Sequence, residues 1–324
     1  MSLCDVCFEL VPQNELPDHM SQCRDLQILA FENLQTPYSE NLLCDICYEE
    51  FNIVELEEHK IQCNENQLKL FNNLLPKVDL TKHQKAALEY SNNKAKEYSN
   101  RDYPILLDKF KKKNLDEEDL ELVINYIKHI APIIIHLNLN NILKFLCDDI
   151  YYRNQFQISA SGGYLSYDGR FDWESKMFGK AYDNADGFYR VKYGPLNFTN
   201  DENGVQGAMG YGPSYILLNN DIKHRTTMTF GDSGGGTKEI ATFNYFNHIL
   251  NQLSDKLLDQ LIKLSQGEEA SYVSNYGFYI ECQYHGDILF ERDMETLYIN
   301  KSDKITKELV NKFKTRHKCN VVYL

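Results

Sequence analysis

Apolar and polar positions repeat with different periods along this chain, and the period changes twice. Up to about residue 76 the pattern is interrupted, with short apolar faces at helical spacing over 26–31 (Leu26, Ile28, Leu29, Phe31) and 68–71 (Leu68, Leu70, Phe71). Between residues 80 and 130 the pattern is helical throughout. Residues 80–97 are polar with a thin apolar stripe. A second helix is expected from near Leu115, where acidic residues fill the first turn, to Ile130 ahead of Pro132. From about residue 132 the runs shorten. Strands are expected at 133–137, 155–158, 214–218, 226–230 and 277–284, separated by Gly-rich turns, with helical patterns at 141–149, 173–181, 242–264 and 304–313. Residues 192–197 and 211–215 read as aromatic-glycine turns. Gly234-Gly235-Gly236 reads as a mobile loop without the Lys-Ser/Thr of a phosphate loop. The mixture predicts an α+β domain. Its longest apolar run, at 133–137, is too short to span a bilayer.

The first segment contains a repeat. Cys4, Cys7, His19 and Cys23 recur as Cys44, Cys47, His59 and Cys63, and both sets read C-x2-C-x11-H-x3-C. The likeness extends past these residues: Asp5 matches Asp45, Phe8 matches Tyr48, Leu16 matches Leu56 and Phe31 matches Phe71. On a helix the i,i+4 spacing of His and last Cys aims both at one point. Three thiolates and an imidazole complete a tetrahedral Zn²⁺ site with no open position, so each of the two ions is expected to be structural. The chain then divides into two small ββα zinc fingers over 1–36 and 37–76, a helical region over 77–131 and the α+β domain over 132–324.

Charge and cysteine usage narrow the partners. The net charge of −13 makes nucleic acid and anionic membranes poor partners. The fingers sharpen this. Between its outer ligands the first carries Asp5, Glu9, Glu15 and Asp18 with no Lys or Arg, and the second carries six acidic residues against Lys60. Phosphate binding needs cations, so these surfaces point to a protein partner. Thiolate ligands call for a reducing compartment, cytoplasmic or nuclear, and the N-terminus shows no signal-peptide pattern. Cys147, Cys282 and Cys319 are scattered and suggest no disulfide framework.

The segment Tyr279-Ile280-Glu281-Cys282-Gln283-Tyr284-His285 places Glu281, Gln283 and His285 on one strand face. Two readings fit: the floor of a site, or the solvent side of an antiparallel sheet.

Two resemblances extend these readings. The fingers resemble the small ubiquitin-binding zinc fingers of DNA-repair and ubiquitin-signalling proteins, through the C-x2-C…H-x3-C frame. The acidic residue such fingers carry two places after the His is replaced here by Ser21 and Ile61. The resemblance implies a protein partner, with ubiquitin as the candidate. From Leu80 onward an ordered set of motifs recurs. They are Leu80-Thr81…Gln84, Tyr152-Arg153…Gln155-Phe156, Ser161…Gly163, Arg170…Trp173-Glu174…Phe178-Gly179…Tyr182, Lys192-Tyr193-Gly194…Leu196-Asn197, Arg225…Thr227…Gly231-Asp232-Ser233 and Glu281…Gln283…His285-Gly286. In this order they resemble a bacterial and eukaryotic domain known as one of unknown function and associated with the ADP-ribosyltransferases. That resemblance implies an ADP-ribosyltransferase-like fold and NAD⁺-dependent mono-ADP-ribosyl transfer to a protein. Glu281 would stabilise the oxocarbenium-like ribose, Gln283 would orient the acceptor or the ribose hydroxyls, and His285 would assist at the ribose. Arg153 and Ser161 would grip a phosphate or ribose, and Tyr193 or Tyr211 would stack on nicotinamide. Where the family has Glu-Thr-Gly this chain has Gln157-Ile158-Ser159. The alternative is a non-enzymatic zinc-finger adaptor with a degenerate transferase-like domain.

Overall fold

In both copies of the repeat the residues ahead of the His form a short antiparallel hairpin in the same register. Strand β1 (Ser2–Leu3) pairs with β2 (Leu10–Val11) as Ser2↔Val11 and Leu3↔Leu10. Strand β3 (Asn41–Leu43) pairs with β4 (Glu50–Asn52), the equivalent pairs being Leu42↔Phe51 and Leu43↔Glu50. Residues 17–20 and 58–60 are helical and carry His19 and His59, so the expected order of two strands and a helix is present. This computed structural model describes residues 2–3, 10–12, 14–15, 17–20, 22, 41–44, 49–52, 55–56, 58–60, 62–63, 78–158, 167–235, 238–269 and 278–324. The apolar faces at 26–31 and 68–71 lie outside them, as do Cys4, Cys7, Cys23, Cys47, Ser161 and Gly236.

The chain forms two compact units, Met1–Leu75 and Pro76–Leu324. The larger one is mixed α+β, and the helical region 77–131 packs within it. Its first helix, Lys82–Lys112, begins at Thr81 in a capping box with Gln84. Its buried stripe runs Gln84, Ala87, Ser91, Ala95, Ser99, Asp102, Leu106 and Phe110, a helical period built mostly from small residues. These let it lie close against the helix Asn247–Asn251 and against β9 (Ile240–Thr242). The helix passes the expected end at Glu97 and continues through Pro104, because Leu106 and Phe110 are fully buried beyond the proline. A second helix, Glu117–Asn125, is capped by Asp116 and followed by a π-helical turn, Tyr126–Ile130, which stops before Pro132 as expected.

Two four-stranded sheets form the core. One has the order β6-β10-β8-β9, from β6 (Lys192–Leu196), β10 (Ile280–Tyr284), β8 (Thr226–Phe230) and β9, all antiparallel. The other has the order β12-β11-β7-β5, from β12 (Asn320–Tyr323), β11 (Met294–Ile299), β7 (Ser214–Leu218) and β5 (Ile134–Leu137). In it β11 and β12 alone run parallel. The sheets meet where Ile133 bridges Leu196 and the Tyr284 hydroxyl donates to the Ile134 carbonyl (2.9 Å). One hydrophobic cluster takes Ile216, Leu218 and Leu297 from one sheet and Met228, Ile280, Cys282 and Tyr284 from the other. Leu258 and Leu261 of the helix Asp255–Ser265 close it.

Several elements differ from the sequence reading. Residues Gln155–Ile158 form a single helical turn instead of a strand, with Asn154 O accepting from Gln157 N and Ile158 N. The expected turn at 192–197 is strand β6. Its Pro195 is tolerated because β6 is the edge of its sheet, and its Gly194 is needed because a Cβ would run into the Ile134 carbonyl. The helix expected at 242–264 is a strand end and two helices, broken between Asn251 and Asp255. Strands β11 and β12 were not expected. Among the described residues no helix is long and apolar enough to cross a membrane.

Candidate functional site

In the smaller unit, Cys44, His59 and Cys63 converge, their ligand atoms lying within 4.8 Å of one another. Cys44 is buried at the end of β3, where its N–H donates to Glu49 O (2.9 Å), and His59 and Cys63 come from the following helical segment. Two soft thiolates and an imidazole in this space could hold a metal ion, and they are three of the four ligands expected of the second repeat.

In the larger unit the candidate chemistry lies on β10. Alternation sends Ile280, Cys282 and Tyr284 into the hydrophobic core and turns Glu281 and Gln283 to the opposite face. That face is not solvent-exposed, for Glu281 is 4% exposed and Gln283 and His285 are fully buried. The neighbouring strands supply matching polar groups. Glu281 lies opposite Thr229 and Pro195, and Gln283 lies opposite Thr227 and Tyr193. Gln283 Nε2 donates to Glu281 Oε1 (2.9 Å) and to Thr229 Oγ1 (3.1 Å), while Thr227 Oγ1 donates to Gln283 Oε1 (2.9 Å). Beyond Thr227 stand His285 Nε2 (3.1 Å from Thr227 Oγ1) and the Tyr182 hydroxyl (2.7 Å from His285 Nδ1). The expected mobile loop after β8 is in part a 3₁₀ turn, Ser233–Gly235, and the Ser233 N–H donates to Glu281 Oε1 (3.3 Å).

Burial pushes the Glu281 carboxyl up to about 7, against the hydrogen bonds from Ser233 and Gln283 that favour its charged form and with the nearby Asp232 adding to the rise. Burial, with the charges of Arg225 and Lys192, drives His285 down to about 3, so its imidazole is neutral. A satisfied, neutral ring fits a structural histidine.

The helix Tyr167–Met177 brings a second group against Tyr193 of β6 and the turn after β8. Arg170, Trp173 and Glu174 share one side at i, i+3 and i+4. The Arg170 guanidinium lies 4.7 Å from the Tyr193 ring centre and 5.2 Å from that of Trp173. Its Nε is buried and makes no hydrogen bond among the described residues. Glu174 is fully buried and accepts from Tyr193 Oη (2.9 Å) and Arg190 Nη1 (2.7 Å), which fixes the Tyr193 ring. Trp173 also stands against Gly234 of the turn that holds Glu281. Tyr211, at the end of the 3₁₀ turn Gln206–Tyr211, bonds Tyr279 and feels the charges of Asp232, Glu281 and Arg170.

The structure therefore gathers Glu281, Gln283, Tyr193 and Tyr211, and joins His285 to them through Thr227. It does not bring Arg153 to them. Arg153 donates to both oxygens of Asp149 (2.6 and 3.1 Å) and lies over Tyr151 and Phe188. Its charge acts on Lys192, at the far end of β6 from Glu281, about 10 Å along the strand. Arg170, Trp173 and Glu174 had no assigned role in the sequence reading, although their helical spacing was visible there.

Residues 127–267 match the model of a family described as Protein of unknown function (DUF3626). The match takes in Arg170, Trp173, Tyr193, Tyr211 and Ser233 and ends before β10. No curated protein matches the chain.

Proposed function

We propose that the larger unit is an NAD⁺-dependent mono-ADP-ribosyltransferase acting on a protein, and that the smaller unit holds that protein through two Zn²⁺ fingers. The observation that carries this reading is Glu281, a buried carboxyl poised near neutrality beside an aromatic and cationic group. The reaction breaks the nicotinamide–ribose bond of NAD⁺ and joins the ADP-ribosyl group to an acceptor atom of the protein. Nicotinamide and the acceptor's proton leave. As the bond opens the ribose gains positive charge, which ionised Glu281 stabilises from a site largely closed to water. Gln283 orients that carboxylate through its 2.9 Å hydrogen bond. Arg170, whose Nε has no partner among the described residues, suits the diphosphate better than Arg153, which Asp149 already holds. Trp173, Tyr193 and Tyr211 offer faces for the flat rings of the dinucleotide.

Cys44, Cys47, His59 and Cys63 would hold one Zn²⁺, and Cys4, Cys7, His19 and Cys23 the other. With four protein ligands each ion would stiffen its finger without taking part in the chemistry. The acidic fingers favour a protein partner, and their frame makes ubiquitin the candidate. Tethering that partner to the chain that carries the site raises its local concentration.

Incubation of the full chain with biotinylated NAD⁺ and ubiquitin tests the reading. Labelling is expected, reduced on the order of 100-fold or more by Glu281→Gln and weakened by Arg170→Ala. Labelling undiminished by Glu281→Gln would remove the catalytic assignment. Stabilisation by NAD⁺ without labelling of any protein would favour the adaptor instead.

A further inference from the structure

Strand β5 turns Ile135 and Leu137 into the main hydrophobic cluster and Ile134 and His136 to its opposite face. There the buried His136 lies opposite Tyr215 of β7, whose ring stacks on Tyr298 of β11 (4.6 Å between centroids). Val205, Ala208 and Tyr211 pack on this face with Ile134, Tyr215 and Tyr279. His136 bonds the backbone on both sides of the 3₁₀ turn Gln206–Tyr211. The Val205 N–H donates to Nε2 (2.9 Å), and Nδ1 lies 2.8 Å from the Gly212 carbonyl oxygen. Both partners are main-chain groups that cannot exchange roles, for an amide N–H donates and a carbonyl accepts. Nε2 is therefore bare and Nδ1 carries the proton. The opposite tautomer would set N–H against N–H at one end and lone pair against lone pair at the other.

The fit is close. A Cβ on Gly204, whose φ is +85°, would come within 2.7 Å of the imidazole. Other bonds do not replace these two. The Ala208 N–H to Val205 O (2.9 Å) and Gly212 N–H to Met209 O (3.0 Å) bonds close the turn on itself. The Tyr215 hydroxyl donates to Glu202 O (2.7 Å), which holds the chain ahead of Gly204. The apolar contacts of Val205 and Ala208 are the same at every pH, whereas the bonds to His136 require a neutral ring.

We propose that His136 is a positioning residue for Tyr211: its neutral ring clamps the backbone on both sides of the turn, and a proton taken up at Nε2 frees the turn. Tyr211 bonds Tyr279 and feels the charges of Asp232, Glu281 and Arg170, so the clamp sets one wall of the candidate site. That use of the clamp rests on the transferase reading, but the clamp itself does not. A proton on Nε2 would face the Val205 N–H, two donors 2.9 Å apart, and would bury a cation. Around the ring stand Tyr215 of β7, Tyr298 of β11 behind it, Tyr211 and Tyr279 in the same cluster, and Asp201 and Glu202, whose charges reach Tyr215. Burial pulls the ring down to about 4 from an ordinary 6.5, against its bonds to the backbone of Gly212 and Ser214. A ring released from the clamp binds its proton more tightly than the clamped one. The clamp is therefore at full strength above pH 6.5 and weakens as the pH falls toward 4.

Amide hydrogen exchange of the full chain, corrected for intrinsic rates, reads the opening at Val205, and ¹⁵N NMR reads the His136 tautomer. Wild type is expected to show the Nδ1–H tautomer. Protection of the Val205 amide is expected to fall about 30-fold between about pH 7.5 and about pH 5. The Tyr211 ring signals should shift over the same range while the amides of β10 keep their protection. His136→Gln offers an acceptor and a donor but does not titrate, so it should flatten the fall. Glu281→Gln removes the nearest titrating carboxyl of the candidate site and should leave the fall in place. Protection of Val205 that is independent of pH, a fall that persists in His136→Gln or vanishes in Glu281→Gln, or an Nε2–H tautomer in wild type overturns the proposal. Should His136→Gln not fold, the wild-type tautomer and the Glu281→Gln profile decide. No measurement here uses NAD⁺, so the failure of one idea is not the failure of the other.

Discussion

Glu281 carries a cost for its position that should be visible in stability. Its folded-state carboxyl is raised to about 7 from an ordinary 4.5, so the folded protein binds that proton more tightly than the unfolded chain does. The sign follows directly. The contribution to stability is fully present below pH 4.5 and is lost as the pH rises through about 7. Glu281→Gln removes the titration. Its melting temperature relative to wild type is therefore expected to climb between pH 5 and pH 8, and a difference that stays flat would show that Glu281 titrates normally. The same residue illustrates what sequence can reveal of a site. Alternation along β10 was enough to put Glu281 and Gln283 on one face. The residues that complete the face, Thr227, Thr229 and Tyr182, were out of reach because they join it through strand register and a contact spanning 103 positions.

Among the elements, the helix Lys82–Lys112 depends on Gln84 in two ways. Gln84 Oε1 accepts from Thr81 N (2.9 Å) to close the capping box, while its Nε2 donates to Tyr189 O (2.8 Å). Thr81→Ala removes a cap and should cost about 1 kcal/mol in urea unfolding. Gln84→Ala loses its side of the cap and leaves a carbonyl near Arg190 without its donor, so about 2–3 kcal/mol is expected. Equal losses for the two would mean that the Tyr189 bond contributes nothing. Element by element, the sequence was readable where one period dominated. The apolar runs of β5, β7 and β8 and the capped helices after Thr81 and Asp116 were all expected. It misled where local chemistry overrode the pattern. Gln155–Ile158 alternates like a strand yet closes a helical turn on the Asn154 carbonyl, and Gly194-Pro195 disguises an edge strand as a turn. Strand β11 was hidden by the exposed Glu295 within it, and β12 by its mostly exposed residues.

For the whole molecule, the division at Leu75 and Pro76 predicts two separable unfolding events. Chelation of the proposed Zn²⁺, or Cys44→Ser, is expected to abolish the calorimetric transition of the smaller unit and leave that of the larger one in place. Loss of both transitions together would show that the units stabilise each other. The metal content of the purified chain, expected to be two ions, checks the ligand sets independently.

The position of β10 has a consequence during synthesis. It is the strand between β6 and β8, yet it begins at Ile280, long after β8 has ended at Phe230. A ribosome-bound chain that ends before Ile280 has both inner edges of that sheet open, with β6 and β8 waiting for a partner still to be made. The nascent protein must be kept from pairing those edges with other chains over that interval. The strand that closes the sheet is also the one that brings in Glu281, so maturation of the fold and arrival of the candidate catalytic group are one event.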